Sequence, residues 1–509
     1  MPNKSKEIGL AFITSLFTSA LIQFSFPRIL GVDGYYHIKL AYLMRTEGII
    51  DKFVWAAHSI WVNDFSDKEF LYHVLLIPFT YINNLELAAK ISVVFFSGIV
   101  LTSFFTVLKL NNVRFPWFWT FSLLLSAGFV ERLNYPRAHV LSIIAMIWFV
   151  NFLLRKNLVG IAIISVLYPV TYTAFHLPIA VSILFSLSTF FFTKKFDWKV
   201  PAISLISVLF GNLIHPNFPN NLYIFFVQNF MVPFHIFYDK SPLDLGLEFQ
   251  AVTTRQFIYQ NFTLVIGMVT VFVFIFFGNP KTIANKSTTY QQAKGMSQWD
   301  SKNLMVLAIC FSILALFSER FKEYAVPIST LAFAFYANEY FFETSFKNIF
   351  SSIKNYIAGT IIAVLILLSG IIISYMQTTL LFKEYSSYGS ELVKAGEFLK
   401  NEVPRDHLIY TCDWDMSPLL FFKSHDHRYE VFLDPSFMYL WNKEFYNLWY
   451  RIGMGKYGKT SYEALKDGIG ISYGVCLKRK KRGLRKVINK DSRISIIFED
   501  KFAYIFKLG

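Results

Sequence analysis

The seven residues from Gly31 to His37 carry the side chains of this chain that are best suited to chemistry. They read Gly-Val-Asp-Gly-Tyr-Tyr-His and directly follow the first apolar segment. A carboxylate in such a place can accept a proton or hold a cation. Because an ionisable group at the mouth of apolar segments is costly to keep there, we predict that Asp33 has a functional role.

Other charged and polar residues gather in the connections between apolar runs. The segment 30–85 also contains Asp67-Lys68-Glu69, and the segment 131–139 reads Glu-Arg-Leu-Asn-Tyr-Pro-Arg-Ala-His. For Glu131 with Arg137, and for Glu319 with Arg320, structural ion pairing and contact with a substrate stay equal alternatives. We expect hydrogen-bonded packing rather than metal ligation of four histidines, which are His37, His73, His139 and His176.

The composition shows which elements must position these residues. Hydrophobic residues make up 54% of the chain and charged residues 16%, and the apolar residues fall in long runs, which is typical of a polytopic membrane protein. The net charge of +15 does not indicate nucleic-acid binding, because Lys and Arg lie mostly in short turns between apolar runs. Residues 1–26 are expected to form an uncleaved anchor. Of the three cysteines, Cys412 and Cys476 could pair.

Hydropathy and loop charge together predict eleven transmembrane helices. They lie near 8–29, 86–108, 115–130, 138–154, 157–175, 177–193, 200–216, 256–278, 303–317, 325–341 and 356–378. Two further apolar stretches, 69–82 and 222–238, are interrupted by polar residues, so we expect them to be interfacial or re-entrant helices on the outer face.

With the N-terminus inside, every cytoplasmic turn is basic. These turns hold Lys109, Arg114, Arg155, Lys156, Lys194, Lys195, Lys199, Lys281, Lys286, Lys294, Lys302, Lys347 and Lys354. An odd number of spans places the polar segments, including the first external loop 30–85, and the C-terminal region outside the cytoplasm. The sequence therefore predicts a membrane-embedded all-α bundle over 1–382 and an extracytoplasmic α/β domain over 383–509, with strands at 407–411 and 493–498.

This arrangement resembles the GT-C superfamily of integral-membrane glycosyltransferases, which includes oligosaccharyltransferase catalytic subunits, protein O-mannosyltransferases and lipid A aminoarabinose transferases. Asp33-Gly34-Tyr35-Tyr36-His37 occupies the place of the family's first-loop acidic motif. Asp67-Lys68-Glu69 is similar to an acid-x-acid motif, and Glu131 stands where oligosaccharyltransferases have a second acidic motif. Cys412-Asp413-Trp414-Asp415 resembles their Trp-Trp-Asp segment but lacks the tandem Trp and the following Tyr-Gly.

The resemblance implies transfer of a sugar from a polyprenyl-phosphate-linked donor to an extracytoplasmic glycan, lipid or protein, by an enzyme of the plasma membrane. Asp33 would accept or orient the proton of the acceptor nucleophile, with Asp67 and Glu69 as further catalytic residues. A divalent cation, Mg²⁺ or Mn²⁺, would be held by Asp67, Glu69 and Glu131. Candidate substrate-binding residues are Tyr36, His37, Glu131, Arg137, His139, Glu319, Arg320 and Asp415.

Two rival interpretations belong to other functional classes. A transporter or lipid flippase could line its path with such acids and arginines, and interrupted helices at 69–82 and 222–238 would suit it. Against this, the polar groups lie on one face, no inverted repeat is visible, and an external α/β domain would have no obvious use. The third interpretation is a noncatalytic assembly or polymerase subunit of envelope biogenesis.

Overall fold

The computed structural model describes residues 2–237, 253–261, 300–340, 368–383 and 389–509 other than 481, with isolated positions at 243 and 265. The predicted spans 256–278 and 356–378 are therefore described only in part. The predicted cytoplasmic residues Lys281, Lys286, Lys294, Lys347 and Lys354 lie outside the described residues.

Apolar runs form most helices of the N-terminal part, and a polar side chain caps the start of some of them. The helices are α1 Pro2–Gln23, α2 Asp33–Glu47, α3 Phe70–Leu76, α4 Leu85–Leu110, α5 Pro116–Ser122, α6 Ala127–Leu133, α7 His139–Leu154, α8 Leu158–Thr171, α9 Leu177–Thr193, α10 Lys199–Leu213, α11 Asn220–Phe226, α12 Val232–Phe237, α13 Thr254–Gln260, α14 Asp300–Phe317, α15 Lys322–Tyr340 and α16 368–383. Asn84, for example, accepts the Glu86 and Leu87 backbone N–H groups at 3.0 and 3.2 Å and so fixes the start of α4.

Three of the described helices are long and apolar enough to cross a bilayer: Lys4–Gln23, Leu85–Leu110 and Asp300–Phe317. The shorter apolar helices are Phe70–Tyr81, Pro116–Leu125, His139–Leu154, Leu158–Thr171, Leu177–Thr193 and Lys199–Leu213. Their order follows the predicted spans, but the count of eleven stays a prediction. The first helix ends at Gln23 and not near 29, because Pro27 disfavours helical geometry in the residue before it.

The C-terminal region is a small α/β unit, as predicted. Its helices are α17 Val393–Glu402, α18 Ser417–Lys423, α19 Pro435–Trp441, α20 Lys443–Gly453, α21 Ser461–Glu463 and α22 Arg482–Ile488, and its strands are β1 Leu408–Thr411, β2 Arg428–Tyr429, β3 Tyr473–Leu477, β4 Ile494–Glu499 and β5 Ala503–Leu508. The sheet order is β2-β1-β3-β5-β4. β1 is parallel to β2 and β3, whereas β5 is antiparallel to β3 and β4. Cys412 and Cys476 form a disulfide across the ends of β1 and β3.

The first loop and this C-terminal unit share one hydrophobic core. Tyr36 on α2 packs against Phe421 and Phe432 with ring centroids 6.3 and 5.8 Å apart. At the sheet edge, the Tyr429 N–H donates to the Trp55 carbonyl at 2.8 Å, and the Ala57 N–H donates to the Tyr429 carbonyl at 2.9 Å. The C-terminal unit is thereby fixed on the loop that carries the predicted acids.

Candidate active site

Asp33 is the first residue of α2, and its carboxylate forms an ion pair with Arg137. The two side chains are 18% and 24% exposed, so both can reach a ligand. Close packing brings their segments together, because a Cβ on Gly34 would lie 2.2 Å from the Pro136 ring. Glycine is therefore required at position 34, and its close approach places the first-loop acid on the 131–139 segment.

Asp67, Glu69, His37 and His73 form a second, more deeply buried group beside Asp33. Both carboxylate oxygens of Asp67 lie 2.8 Å from His73 Nδ1, and His73 Nε2 lies 2.8 Å from His37 Nδ1. Glu69 Oε2 lies 3.7 Å from the same His37 nitrogen. The ligand atoms of His37, Glu69 and His73 are all within 4.8 Å of one another, which is close enough for one cation. Burial, with His73 and Arg137 adding to it, lowers the pKa of His37 well below its usual range, so the ring is neutral at pH 7.

The 131–139 segment has its own buried network. Glu131 accepts a hydrogen bond from the Tyr135 hydroxyl at 2.5 Å, and burial raises the pKa of its carboxyl. Arg132 donates to Glu323 at 2.8 and 3.1 Å, and His139 Nε2 lies 2.6 Å from the Arg132 carbonyl. Arg132 and Glu323 lie within the polar segments 131–139 and 318–324, but sequence reasoning did not select either as a site residue.

The segment 318–324, which contains the predicted residues Glu319 and Arg320, joins this network and not the Asp67 group. Lys322 forms an ion pair with Glu319 at 3.0 Å, and Glu319 accepts a hydrogen bond from Gln256 at 3.5 Å. Arg320 lies in the short helix Glu319–Phe321. The three polar segments 30–85, 131–139 and 318–324 are therefore linked one to the next. Asp33 and Arg137 link the first to the second, and Arg132 and Glu323 link the second to the third.

Two predicted substrate-binding residues, Tyr36 and Asp415, make other contacts in the structure. Tyr36 is only 3% exposed and lies within the shared core, so the structure gives its ring no open face for a sugar. Asp415 pairs with Lys480 at 2.5 Å, and Asp413 lies 3.3 Å from the same ammonium. Burial and the neighbouring Asp413 raise the pKa of the Asp415 carboxyl.

No protein-family profile and no curated protein matches this sequence. Solved structures do match. The oligosaccharyltransferase of Archaeoglobus fulgidus, in its apo form, has a TM-score of 0.60 at 12% identity, covering 91% of this chain and 69% of its own. ArnT from Cupriavidus metallidurans bound to undecaprenyl phosphate has a TM-score of 0.57 at 11% identity, covering 98% and 97%.

This chain shares its fold with these two proteins. The A. fulgidus oligosaccharyltransferase AglB in complex with an inhibitory peptide and a dolichol-phosphate agrees, with a TM-score of 0.57 at 11% identity over 92% of this chain and 69% of AglB. At these identities the likeness shows the shared fold alone. The resemblance inferred from the motifs is confirmed at the level of the fold.

Proposed function

We propose that this GT-C protein is a glycosyltransferase that moves a sugar from a polyprenyl-phosphate-linked donor to an extracytoplasmic acceptor at the outer face of the plasma membrane. The ion pair of Asp33 with Arg137 carries the proposal. This pair brings a carboxylate and a guanidinium together. Two solved structures of the same fold contain a polyprenyl phosphate, undecaprenyl phosphate in ArnT and a dolichol-phosphate in AglB. The acceptor is a glycan, a lipid or a protein.

The two side chains of the pair have complementary tasks in such a transfer. Asp33 takes or orients the proton of the acceptor nucleophile while the anomeric carbon gains oxocarbenium character. Arg137 donates to the leaving phosphate, since guanidinium–phosphate contacts are strong and frequently bidentate. A phosphate that binds Arg137 competes with Asp33 for the guanidinium, so donor binding releases the carboxylate for its task. A divalent cation, predicted as Mg²⁺ or Mn²⁺, would add positive charge at the phosphate.

Replacing Asp33 by Asn tests this assignment directly. Asn keeps the shape and most hydrogen bonding but cannot take the proton, so transfer should fall by on the order of 10² or more. The assay uses purified protein with polyprenyl-linked donor and acceptor supplied, and measures donor binding separately. The matched control is Asp51→Asn, an exposed acid of the same loop, which should keep normal transfer. Full transfer by the Asp33→Asn protein would exclude Asp33 as the proton acceptor.

The proposed membrane topology places this site and the C-terminal unit outside the cytoplasm. It combines eleven spans, basic cytoplasmic turns and a disulfide between Cys412 and Cys476, a bond that forms in oxidising compartments. An alkaline phosphatase fused after Gly509 should therefore be active, and a cytoplasmic reporter at the same point should be silent. The opposite pattern would place the acids on the wrong face for a translocated donor.

A further inference from the structure

We propose that His37, His73 and Glu69 bind a zinc ion, with Asp67 orienting His73 and not ligating the metal itself. This differs from the sequence prediction, which expected packing roles for the histidines and an oxygen-only Mg²⁺ or Mn²⁺ site. The inference concerns metal binding alone, so it stands or falls independently of the proposed transfer reaction.

The nitrogen and oxygen ligand atoms of this group favour zinc over Mg²⁺ and Mn²⁺. His37 Nδ1, His73 Nε2 and Glu69 Oε2 offer two imidazole nitrogens and one carboxylate oxygen. Mg²⁺ prefers oxygen ligands, whereas Zn²⁺ is commonly held by two His and one Glu with a fourth position open. Zinc also binds mixed N/O sites more tightly than Mn²⁺ does.

The spacing of the ligand atoms fits one tetrahedral ion. Two nitrogens at about 2.0–2.1 Å from a tetrahedral zinc lie about 3.3 Å apart. The His37 and His73 nitrogens are 2.8 Å apart, and the Glu69 oxygen is 3.7 Å from His37. These two distances need to change by only about half an ångström, and the third, between His73 and Glu69, is below 4.8 Å and must shorten further as the Glu69 side chain turns toward the ion.

The surroundings of His73 match the outer shell of metal sites. Asp67 holds His73 Nδ1 with both oxygens at 2.8 Å, which fixes the tautomer whose Nε2 carries a lone pair toward His37. Asp67 is itself held, because its backbone N–H donates to Asn217 at 2.9 Å and its Oδ1 accepts the Glu69 N–H at 3.2 Å. A carboxylate–histidine pair of this kind orients the ligand and raises its basicity.

Glu69 gives an independent reason for a cation. Glu69 is only 9% exposed, yet its carboxylate accepts no hydrogen bond from the described part of the chain. A buried carboxylate without a donor or a cation is costly. An ion between the two histidines and Glu69 would satisfy it.

Metal content of the purified full-length protein tests the proposal without any transfer assay. The protein is stripped with a chelator, equilibrated with Zn²⁺, Mg²⁺ or Mn²⁺, passed through gel filtration and analysed by mass spectrometry for metals. We expect about one zinc per chain, with Mg²⁺ and Mn²⁺ lost on the column. Cobalt substitution should give the visible absorption of a four-coordinate ion with nitrogen ligands.

Variants assign the ligands. His37→Gln, His73→Gln and Glu69→Gln should each lower zinc affinity at least tenfold, and Asp67→Asn should lower it about 10–100-fold through His73. His427→Gln is the matched control, because His427 is a buried histidine of the C-terminal unit that lies 3.1 Å from the Leu399 carbonyl. It should bind zinc like the unchanged protein.

Two results would overturn the proposal. One is a wild-type protein that retains no more zinc than a His37→Gln/His73→Gln double variant, which would make the group a hydrogen-bond chain only. The other is retention of Mg²⁺ or Mn²⁺ in preference to zinc. If the variants fail to fold, the zinc stoichiometry and the cobalt spectrum of the wild-type protein still decide between these outcomes.

Discussion

Two arginines in the 131–139 segment form ion pairs in contrasting surroundings. Arg137 meets Asp33 at a partly open position, where the side chains are 24% and 18% exposed. Arg132 meets Glu323 in the interior, where they are 7% and 1% exposed. A pair that a ligand can reach can exchange partners during a reaction, whereas a fully buried pair mainly connects segments of the fold. The contrast explains how one short segment can serve both the proposed chemistry and the structure.

The largest expected effect is a difference in stability between the variants of the two arginines. Arg132→Ala leaves Glu323 as an unpaired buried charge, so the free energy of unfolding should fall by about 3–5 kcal/mol. Arg137→Ala leaves Asp33 partly hydrated and should cost about 1 kcal/mol or less. Unfolding of both variants in the same detergent, followed by circular dichroism or fluorescence, measures the difference. Equal losses would mean that the two pairs do the same structural work.

A double-mutant cycle sharpens this result. Arg132→Ala combined with Glu323→Ala should cost less than the sum of the single changes, because the buried charge disappears with its partner. The same cycle on Asp33 and Arg137 should show little coupling in stability. Additive costs for Arg132 and Glu323 would show that their contact contributes little to the fold.

The sequence predicted the parts of the fold that long apolar runs determine. The helices Leu85–Leu110 and Leu177–Thr193 match the predicted spans 86–108 and 177–193 closely. The change to a small α/β unit after the last helix is also confirmed. These features depend on local hydropathy and periodicity, which a single sequence records directly.

The site was less predictable, because its contacts join distant residues. The sequence predicted that the first-loop acid and the 131–139 segment lie on the same side, but it did not predict the ion pair between Asp33 and Arg137. Nothing in the sequence around Tyr36 shows that Phe421 and Phe432 will cover it. Likewise, the Glu323 partner of Arg132 lies 191 residues away. Side-chain type indicated which residues could do chemistry, but partner choice came from the tertiary fold.

Glu430 extends the comparison to a buried carboxylate that has no cationic partner in the described contacts. It is fully buried in the C-terminal unit and accepts the Thr411 backbone N–H at 3.1 Å. Burial raises the pKa of its carboxyl well above the usual range. Glu323, by contrast, is equally buried but neutralised by Arg132. Ionisation of the Glu430 carboxyl should therefore lower the stability of the folded protein.

The last expected effect is the pH dependence of stability that follows from this difference. Because the folded pKa of Glu430 lies above the unfolded value of about 4.3, its stabilising contribution is full below that value and is lost as pH rises through the folded pKa. Between the two pKa values, the loss is about 1.4 kcal/mol per pH unit. Glu430→Gln keeps an acceptor for Thr411 but cannot ionise, so the variant should gain stability relative to wild type as pH rises from 4 to 7, and the gain should vanish near pH 4. Unfolding midpoints measured across this range check the sign, and a wild-type advantage that grows with pH would show that Glu430 is stabilised as an anion after all.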